Sequence, residues 1–150
     1  MDQAVKNQLF LRALRSYPDE SHDQLRKALA DTPRAVDALR MLLEAPIHAG
    51  TLRGCLMANS TCELGSADPE VLAHARRTYE TSTALIADCV ARTQSEGDLP
   101  AETDPIALAR ALLAAQQGIV FMGRTGLDTA TLTATARSLA AQLLPDHIGD

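Results

Sequence analysis

The sequence predicts an all-α protein, and three observations support this fold class. Alanine and leucine dominate the composition, whereas aromatic residues make up 3% and glycine and proline are few, at 8 and 7 in 150 residues; this composition favours closely packed helices. Apolar residues recur at spacings of three and four along most of the chain, which is the period of an amphipathic helix. Two Asp-Pro pairs stand where helices would begin. A chain of this length with 46% hydrophobic residues can bury the core of one domain.

A proline separates the first two predicted helices. The first helix covers Asp2 to about Tyr17, and its apolar stripe consists of Val5, Leu9, Phe10, Ala13, Leu14 and Tyr17. Pro18 is expected to end it, because proline has no backbone N–H and its ring clashes with the preceding turn. A short helix is then expected from Ser21 to about Thr32, with the Thr32 hydroxyl placed to cap the following helix.

Two further helices complete the first half of the chain. One is expected from Pro33 to about His48, and its strong apolar stripe is formed by Val36, Leu39, Leu42, Leu43 and Ile47. The next stretch, Thr51 to Leu64, has only Arg53 and Glu63 as charged residues. It is predicted to form a short, mostly buried helix that ends at Gly65.

The Asp-Pro pairs at positions 68–69 and 104–105 start two long helices in the second half. In each pair the aspartate can accept hydrogen bonds from the first turn, and the missing N–H of proline costs nothing there. The first of these helices is expected to run to about Glu96 and to stop at Gly97. Its predicted core face consists of Val71, Ala75, Tyr79, Ser82, Ile86, Cys89 and Thr93.

The last two predicted helices indicate contact with another subunit. Between Ile106 and Gly123 the only charged residue is Arg110, so this helix is expected to be buried nearly all round. A single domain of this size offers too few neighbours to cover such a helix, which indicates that part of its surface meets a second chain. Asp128 is expected to start the final helix, which ends at Pro145 and has a seam of Leu132, Ala136, Leu139, Ala140 and Leu143.

Charge is unevenly distributed along the chain. The net charge is −5; residues 1–54 contain eight Lys/Arg and seven Asp/Glu, whereas residues 55–150 contain six and twelve. An acidic surface repels phosphate, so the chain by itself is not expected to bind DNA or RNA. The first ten residues include Asp2 and Lys6 and no long apolar run. We therefore expect neither a signal peptide nor a membrane anchor, and a cytoplasmic protein.

Residue types that carry catalysis or bind metals are present but scattered. The cysteines Cys55, Cys62 and Cys89 lack paired metal-ligand spacing and are interpreted as reduced thiols. The histidines stand singly, without the His-x-x-x-His or Glu-x-x-His spacing of a metal site. No nucleophile elbow, phosphate loop or dinucleotide fingerprint occurs, so we expect no enzyme, no metal and no cofactor. If the protein were a small helical enzyme, Cys62 and Glu63 would be the first candidates.

The predicted helix over residues 51–64 carries several polar side chains. Asn59, Ser60, Thr61 and Glu63 stand among apolar residues and cysteines. Buried polar groups need hydrogen-bond partners. Two interpretations are open here: these groups bond to one another and to the backbone, or they line a cavity whose ligand completes their bonds.

Three groups of residues, taken in order, resemble the C-terminal part of TetR-family transcription regulators. The spacing Lys6-x-x-Leu9-Phe10-x-x-Ala13-Leu14-x-x-Tyr17 resembles the start of the helix that follows the family's recognition helix. The second group is Arg53-Gly54-Cys55-Leu56-Met57-Ala58-Asn59 with Glu63-Leu64 and Asp68-Pro69-Glu70-Val71. The third group resembles the segment that leads into the family's dimerisation helices, and consists of Glu96-Gly97-Asp98-Leu99, Asp104-Pro105 and Ala107-Leu108-Ala109.

The resemblance implies a single regulatory domain over residues 1–150, a helical bundle that forms a homodimer through a four-helix bundle of its last two long helices. The candidate interface residues are Leu112, Ile119, Val120, Leu132, Ala136, Leu139 and Leu143. The resemblance also implies a cavity between the middle helices for a small, hydrophobic effector, whose binding moves the DNA-binding heads. The candidate lining residues are Phe10, Leu14, Leu42, Asn59, Glu63, Tyr79, Ile86 and Gln116.

A helix-turn-helix precedes this part of the chain in the family. Met1 falls after the position where the recognition helix ends, so residues 1–17 resemble what remains of the connecting helix. DNA contact is therefore expected only through an N-terminal domain that these residues lack. An alternative interpretation is a stand-alone interaction protein that pairs with a full-length regulator through the same dimer surface.

Overall fold

Six α-helices make up the part of the chain that the computed structural model describes, residues 2–48 and 54–144. They are α1 (Gln3–Asp31), α2 (Ala35–His48), α3 (Leu56–Leu64), α4 (Pro69–Ser95), α5 (Pro105–Arg124) and α6 (Thr129–Leu143). No strand occurs in these two ranges, so the all-α prediction is confirmed. Residues 51–53, predicted to begin the short third helix, lie outside the described residues.

Aspartate caps fix the starts of the last three helices, as the sequence predicts. Asp68 Oδ1 accepts a hydrogen bond at 2.9 Å from the backbone N–H two residues later. Asp104 Oδ1 makes the same contact at 2.9 Å, and Asp128 Oδ1 accepts from the N–H of Thr131 at 2.9 Å. Each carboxylate binds a donor that the first turn of a helix cannot pair internally.

The prediction that Pro18 ends the first helix is wrong, since α1 continues through it to Asp31. The segment predicted as a separate helix from Ser21 is therefore the second half of α1. Pro18 lacks the N–H that would bind the carbonyl of Leu14, four residues earlier. His74 of α4 lies with its Nε2 2.8 Å from that carbonyl oxygen, so a tertiary contact supplies the missing donor.

The junction between α1 and α2 is held by the end of α4. The Thr32 hydroxyl donates to the carbonyl of Ala28 at 3.0 Å, so the prediction that it caps the next helix is wrong. Glu96 takes that role, because its Oε2 accepts from the N–H of Ala35 at 2.8 Å. The second helix begins at Ala35, later than the predicted start at Pro33.

Two apolar clusters form the core. The larger cluster joins α2, α4, α5 and α6, and its fully buried side chains include Leu39, Leu43, Ile86, Leu112, Ile119 and Leu132. The smaller cluster joins α1, α3 and α4 through Leu14, Met57 and Val71. Burial of these apolar side chains is the main contribution that stabilises the bundle.

Only one side of α5 is buried within a single chain. Its inner face packs against α2, α4 and α6 through Ala109, Leu112, Leu113, Ile119 and Val120. On the other side, Phe121 is 68% exposed, and Ile106 in the first turn is 41% exposed. The prediction that this helix is buried nearly all round is therefore wrong for the isolated chain. By length and composition α5 could also cross a membrane, a property that core helices of soluble proteins share.

Candidate functional site

The residues predicted to line one cavity fall into two parts of the core. Phe10 and Leu14 belong to the smaller cluster, where Phe10 is half-buried and Leu14 is fully buried. Leu42 and Ile86 are buried in the larger cluster. Gln116 of α5 is half-buried, and its Nε2 donates to the carbonyl of Leu42 at 3.2 Å. The fold therefore brings the first pair together with α3 beside the first half of α4, and places the other three residues in the cluster that packs along the second half of α4.

Two hydroxyl groups of α3 are hydrogen-bonded within their own helix. The Ser60 hydroxyl donates to the carbonyl of Leu56 at 2.7 Å, and the Thr61 hydroxyl donates to that of Met57 at 2.7 Å. Of the two interpretations open for this helix, backbone bonding therefore applies to both hydroxyls. Only Met57 and Ser60 are buried in α3, so the prediction of a mostly buried helix is wrong.

Asn59 and Glu63 lie in different environments on α3. Glu63 is exposed, whereas Asn59 is half-buried and its Oδ1 accepts a hydrogen bond from the guanidinium of Arg124, at the end of α5. Gly54 packs against both of these partners: a Cβ added there would lie 2.9 Å from Asn59 Nδ2 and 3.0 Å from Arg124 Cδ. Sequence analysis did not select Arg124, because its partner lies 65 positions away in the chain.

Both tyrosines keep an exposed side. Tyr79 is 44% exposed on α4, so its predicted place on the core face of that helix is wrong. Tyr17 is 37% exposed and approaches the start of α3. Burial raises the pKa of the Tyr17 phenol and nearby Cys55 raises it further, while a hydrogen bond with the backbone of Leu56 opposes the increase.

A crevice between α1 and α4 lies beside Leu14. Its volume is about 10 Å³, which is room for about one water molecule. It is lined by Leu11, Leu14, Arg15, Glu70, Val71, His74 and Arg77. This crevice is closed to a drug-sized molecule, for which pockets of roughly 300–1,000 Å³ are usual.

Four charged or titratable residues of this crevice were missed by sequence analysis. Arg15 donates to Glu70 across α1 and α4, a pairing that only the fold reveals. Glu70 and His74 are four residues apart on α4, so their common helix face is visible in the sequence. Arg77 Nη2 lies 3.3 Å from His74 Nδ1. The crevice is therefore polar along one wall and apolar along the other.

A wider opening of about 400 Å³ lies between α2 and α6. Its lining consists of Arg40, Arg137, Ala140, Ala141 and Leu144. Arg137 Nε also donates to Glu44 Oε1 at 3.4 Å, which ties α6 to α2 along one edge. The residues predicted to bind an effector are absent from this lining, so this opening is separate from the predicted site.

Most residues predicted to form a dimer interface are instead part of the chain's own core. Leu112, Leu132 and Ala136 are 0% exposed, Ile119 is 1% exposed and Val120 is 9% exposed. Leu139 and Leu143 are half-buried against the larger cluster. These side chains pack inward because α5 and α6 cover the apolar faces of α2 and α4 within the same chain. An interface on the same two helices would therefore use their outer faces, where Phe121 lies.

The thiols differ in exposure. Cys62 is exposed, Cys55 is half-buried and Cys89 is buried. Burial raises the pKa of Cys89; Arg92 lowers it, and Glu96 raises it further. A thiol in such surroundings is a poor nucleophile. Within residues 2–48 and 54–144, no group of three His, Cys, Asp or Glu side chains is placed to hold a metal ion.

Comparison with known proteins agrees with the helical arrangement. Residues 35–139 match the family model described as the tetracyclin repressor-like, C-terminal domain. The chain is also similar to a solved structure assigned to the TetR transcriptional regulators, from Rhodococcus sp. RHA1, with 31% sequence identity and a TM-score of 0.66. That match covers 83% of this chain and 67% of the other. No curated protein matches. The chain belongs to the TetR family of transcriptional regulators, and residues 35–139 form the family's C-terminal domain.

Proposed function

We propose that this domain is the dimerising and effector-sensing part of a cytoplasmic TetR-family transcription regulator. One observation carries the dimerisation half: the exposed side of α5 carries Phe121 with Ala107 and Ala114, and Arg110 is its only charged residue before Arg124 at the helix end, whereas the inner face is used in the core. Phe121 is 68% exposed on that face. Large apolar side chains on an otherwise weakly charged surface are typical of a protein interface.

The composition of α5 and α6 supports a homodimer through their outer faces. From Pro105 to Leu143 the charged residues are Arg110, Arg124, Asp128 and Arg137. Exposed positions between these charges are mostly small, such as Ala114 on α5 and Ala130 on α6. Small side chains let two helices approach closely, and a twofold axis would bring the same face of each chain together. The occupant of this face is therefore proposed to be a second copy of the chain.

A substitution on the outer face tests the dimer. Phe121→Arg is expected to weaken dimerisation at least about thirtyfold, as loss of a central apolar anchor does, and sedimentation or light scattering would then show monomers. Met41→Arg is the matched control, because Met41 is 58% exposed and belongs to α2, outside the two helices of the proposed interface. A wild-type monomer, or a Phe121→Arg dimer as tight as the Met41→Arg dimer, contradicts the proposal. Ile119 is unsuitable for this test because it is 1% exposed and supports the fold itself.

The sensing half of the proposal places the effector between α1, α3 and α4. Phe10, Leu14, Asn59 and Glu63 lie on these elements, and α3 is buried on one side only. Because the adjoining crevice measures about 10 Å³, entry of a small hydrophobic molecule requires α3 to move away from α1. Such a movement would select a minor conformation of the free protein. Reading of DNA would fall to a helix-turn-helix outside these residues.

Thermal unfolding with a panel of lipophilic compounds tests the sensing half. A compound that binds the folded domain raises its free energy of unfolding by mass action, by about 2.7 kcal/mol when the compound is at a hundredfold excess over its Kd. The Tm of the domain increases accordingly. Phe10→Ala and Asn59→Ala are expected to reduce this increase, whereas Met41→Ala on α2 is a control outside the site, at a side chain that is 58% exposed. Compounds that stabilise all three variants equally bind elsewhere. A panel without any stabilising compound opposes the proposal.

A stand-alone interaction protein is the second candidate, because the same outer face of α5 and α6 would serve it. In that role the chain would pair with a full-length regulator and prevent that regulator from forming an operator-binding dimer. Mixing the chain with a full-length relative distinguishes the two functions. Exchange of subunits with loss of DNA binding supports the interaction protein, whereas homodimers that do not exchange support the sensing domain.

A further inference from the structure

Two helices contain an interior proline, and each proline frees one backbone carbonyl. Pro18 lies inside α1 and Pro46 lies inside α2. In an α-helix each N–H binds the carbonyl four residues earlier, and proline has no N–H. The carbonyls of Leu14 and Leu42 therefore lack their usual partner within the helix.

In both cases a side chain from a neighbouring long helix replaces that partner. His74 Nε2 of α4 lies 2.8 Å from the Leu14 oxygen, and Gln116 Nε2 of α5 donates to the Leu42 oxygen at 3.2 Å. Leu14 and Leu42 are both buried, at 1% and 6% exposure. Because water has little access to these buried residues, leaving either carbonyl unpaired would be costly.

The surroundings of His74 make its ring a donor at Nε2. Arg77 Nη2 lies 3.3 Å from Nδ1, and a guanidinium can only donate. Nδ1 therefore accepts, and the proton of the neutral ring is at Nε2, directed at Leu14. The other charged groups along the crevice, Arg15 and Glu70, are paired with each other.

We propose that these two sites form a conformational device: each proline is a joint, a point at which its helix lacks one hydrogen bond, and a side chain from another helix supplies the missing donor and stabilises the observed geometry. The α1 joint is Leu14–Pro18 with His74, and the α2 joint is Leu42–Pro46 with Gln116. When the contact between His74 and Leu14 is broken, the first half of α1 can bend relative to the bundle at a point where its helix already has one backbone hydrogen bond fewer. The device goes beyond the proposed function, since its opening needs neither an effector nor a second chain.

The α1 joint opens more readily than the α2 joint. The first half of α1 packs through the smaller cluster, and Leu14 is its fully buried side chain among those whose burial the structure describes. The α2 joint lies in the larger cluster, between the buried residues Leu43 and Ile47. Local opening needs the least free energy where few apolar contacts must separate. His74 is therefore the positioning residue on which the orientation of the first half of α1 depends.

Hydrogen exchange on the whole chain tests the device. His74→Ala is expected to speed exchange of the amides of residues 15–22 by about tenfold, the effect of losing one hydrogen bond at a buried acceptor. Amides of residues 43–48 should be unaffected by this change. Gln116→Ala serves as the matched control, because it should speed exchange of residues 43–48 and leave residues 15–22 unaffected. His74→Gln, which keeps an N–H donor, should exchange more slowly than His74→Ala and guards against a variant that fails to fold.

A second substitution isolates the role of the proline. In Pro18→Ala the residue at 18 has an N–H for the Leu14 carbonyl, so His74→Ala in that background should change exchange by less than about twofold. If His74→Ala speeds exchange equally with and without Pro18, His74 does not act on the joint. Acceleration that is spread evenly over all helices overturns the proposal in the same way.

Discussion

Glu96 caps the start of α2 from the end of α4, since its Oε2 accepts a hydrogen bond from the backbone N–H of Ala35 at 2.8 Å. One turn earlier, Arg92 serves the end of α1: its Nη2 donates to the carbonyl of Thr32 at 2.9 Å and its Nη1 to that of Leu29 at 3.3 Å. Carboxylates at helix N-termini and cations at C-termini are the favourable arrangement for the helix dipole. The end of α4 therefore fixes the geometry of the α1–α2 turn.

Replacing Glu96 with alanine is expected to lower the free energy of unfolding by about 1–2 kcal/mol, because the Ala35 N–H loses a charged acceptor. Glu102→Ala is the control, since Glu102 is an exposed acid in the turn before α5. Urea unfolding of both variants measures the difference. Equal stability of the two variants would show that the Glu96–Ala35 bond contributes nothing.

The three cysteines are expected to react with a thiol reagent in the order of their exposure. Cys62 is exposed and should react first, whereas Cys89 is buried and its Sγ lies 3.6 Å from the carbonyl oxygen of Ala35, to which it donates. Since burial raises the pKa of Cys89, little thiolate is present there at neutral pH. A labelling time course of Cys62→Ser should lack the fast phase, and that of Cys89→Ser should retain it; the reverse result would contradict this assignment.

The cap of α6 should make stability depend on pH in acid. The backbone N–H and the hydroxyl of Thr131 bind the Asp128 carboxylate and lower its pKa from 3.8. A carboxyl whose pKa is lower in the folded state stabilises the fold above its unfolded pKa, and this contribution is lost as the pH falls through the folded pKa. The Tm of Asp128→Ala should therefore lie below that of the wild type at pH 6, and the gap should narrow below about pH 4. A gap that is constant with pH would contradict this role for the carboxylate.

Local signals in the sequence were sufficient to predict helix starts and apolar faces that depend on a few neighbouring residues. Asp68, Asp104 and Asp128 each bind N–H groups of their own helix, so the starts of α4, α5 and α6 could be predicted. The apolar stripe of α2 was likewise sufficient, because its members Leu39 and Leu43 point into one core. These features need no knowledge of how the helices are arranged.

Features that depend on tertiary contacts could not be predicted in this way. Pro18 is a helix breaker by local chemistry, yet His74, 60 positions from Leu14, supplies the donor that the helix lacks. Exposure on α5 was equally hidden: Ile119 and Phe121 lie on nearly opposite faces of the helix, but both are apolar, so the sequence does not indicate which face is buried. Ile119 is 1% exposed and Phe121 is 68% exposed, which the packing of α2, α4 and α6 decides.

The contact between Arg124 and Asn59 can be measured through the glycine beside it. Gly54 and Gly97 both have positive φ, at 101° and 84°, so alanine at either position should cost about 1–2 kcal/mol in backbone strain. A Cβ at Gly97 meets nothing within 4 Å, whereas one at Gly54 would lie 2.9 Å from Asn59 Nδ2. The side chains of Asn59 and Arg124 are flexible and can move away from the added carbon, but the hydrogen bond between them is then disturbed.

Gly54→Ala is therefore expected to cost about 0.5–1.5 kcal/mol more than Gly97→Ala, the worth of one hydrogen bond. In an Asn59→Ala background that excess should vanish, because the bond to Arg124 is already absent. Urea unfolding of Gly54→Ala and Gly97→Ala, each with and without Asn59→Ala, measures the excess in both backgrounds. Equal costs at the two glycines would show that the Arg124–Asn59 bond contributes no stability. An excess that persists without Asn59 would instead place the strain on the Arg124 side chain alone, which lies 3.0 Å from the added carbon.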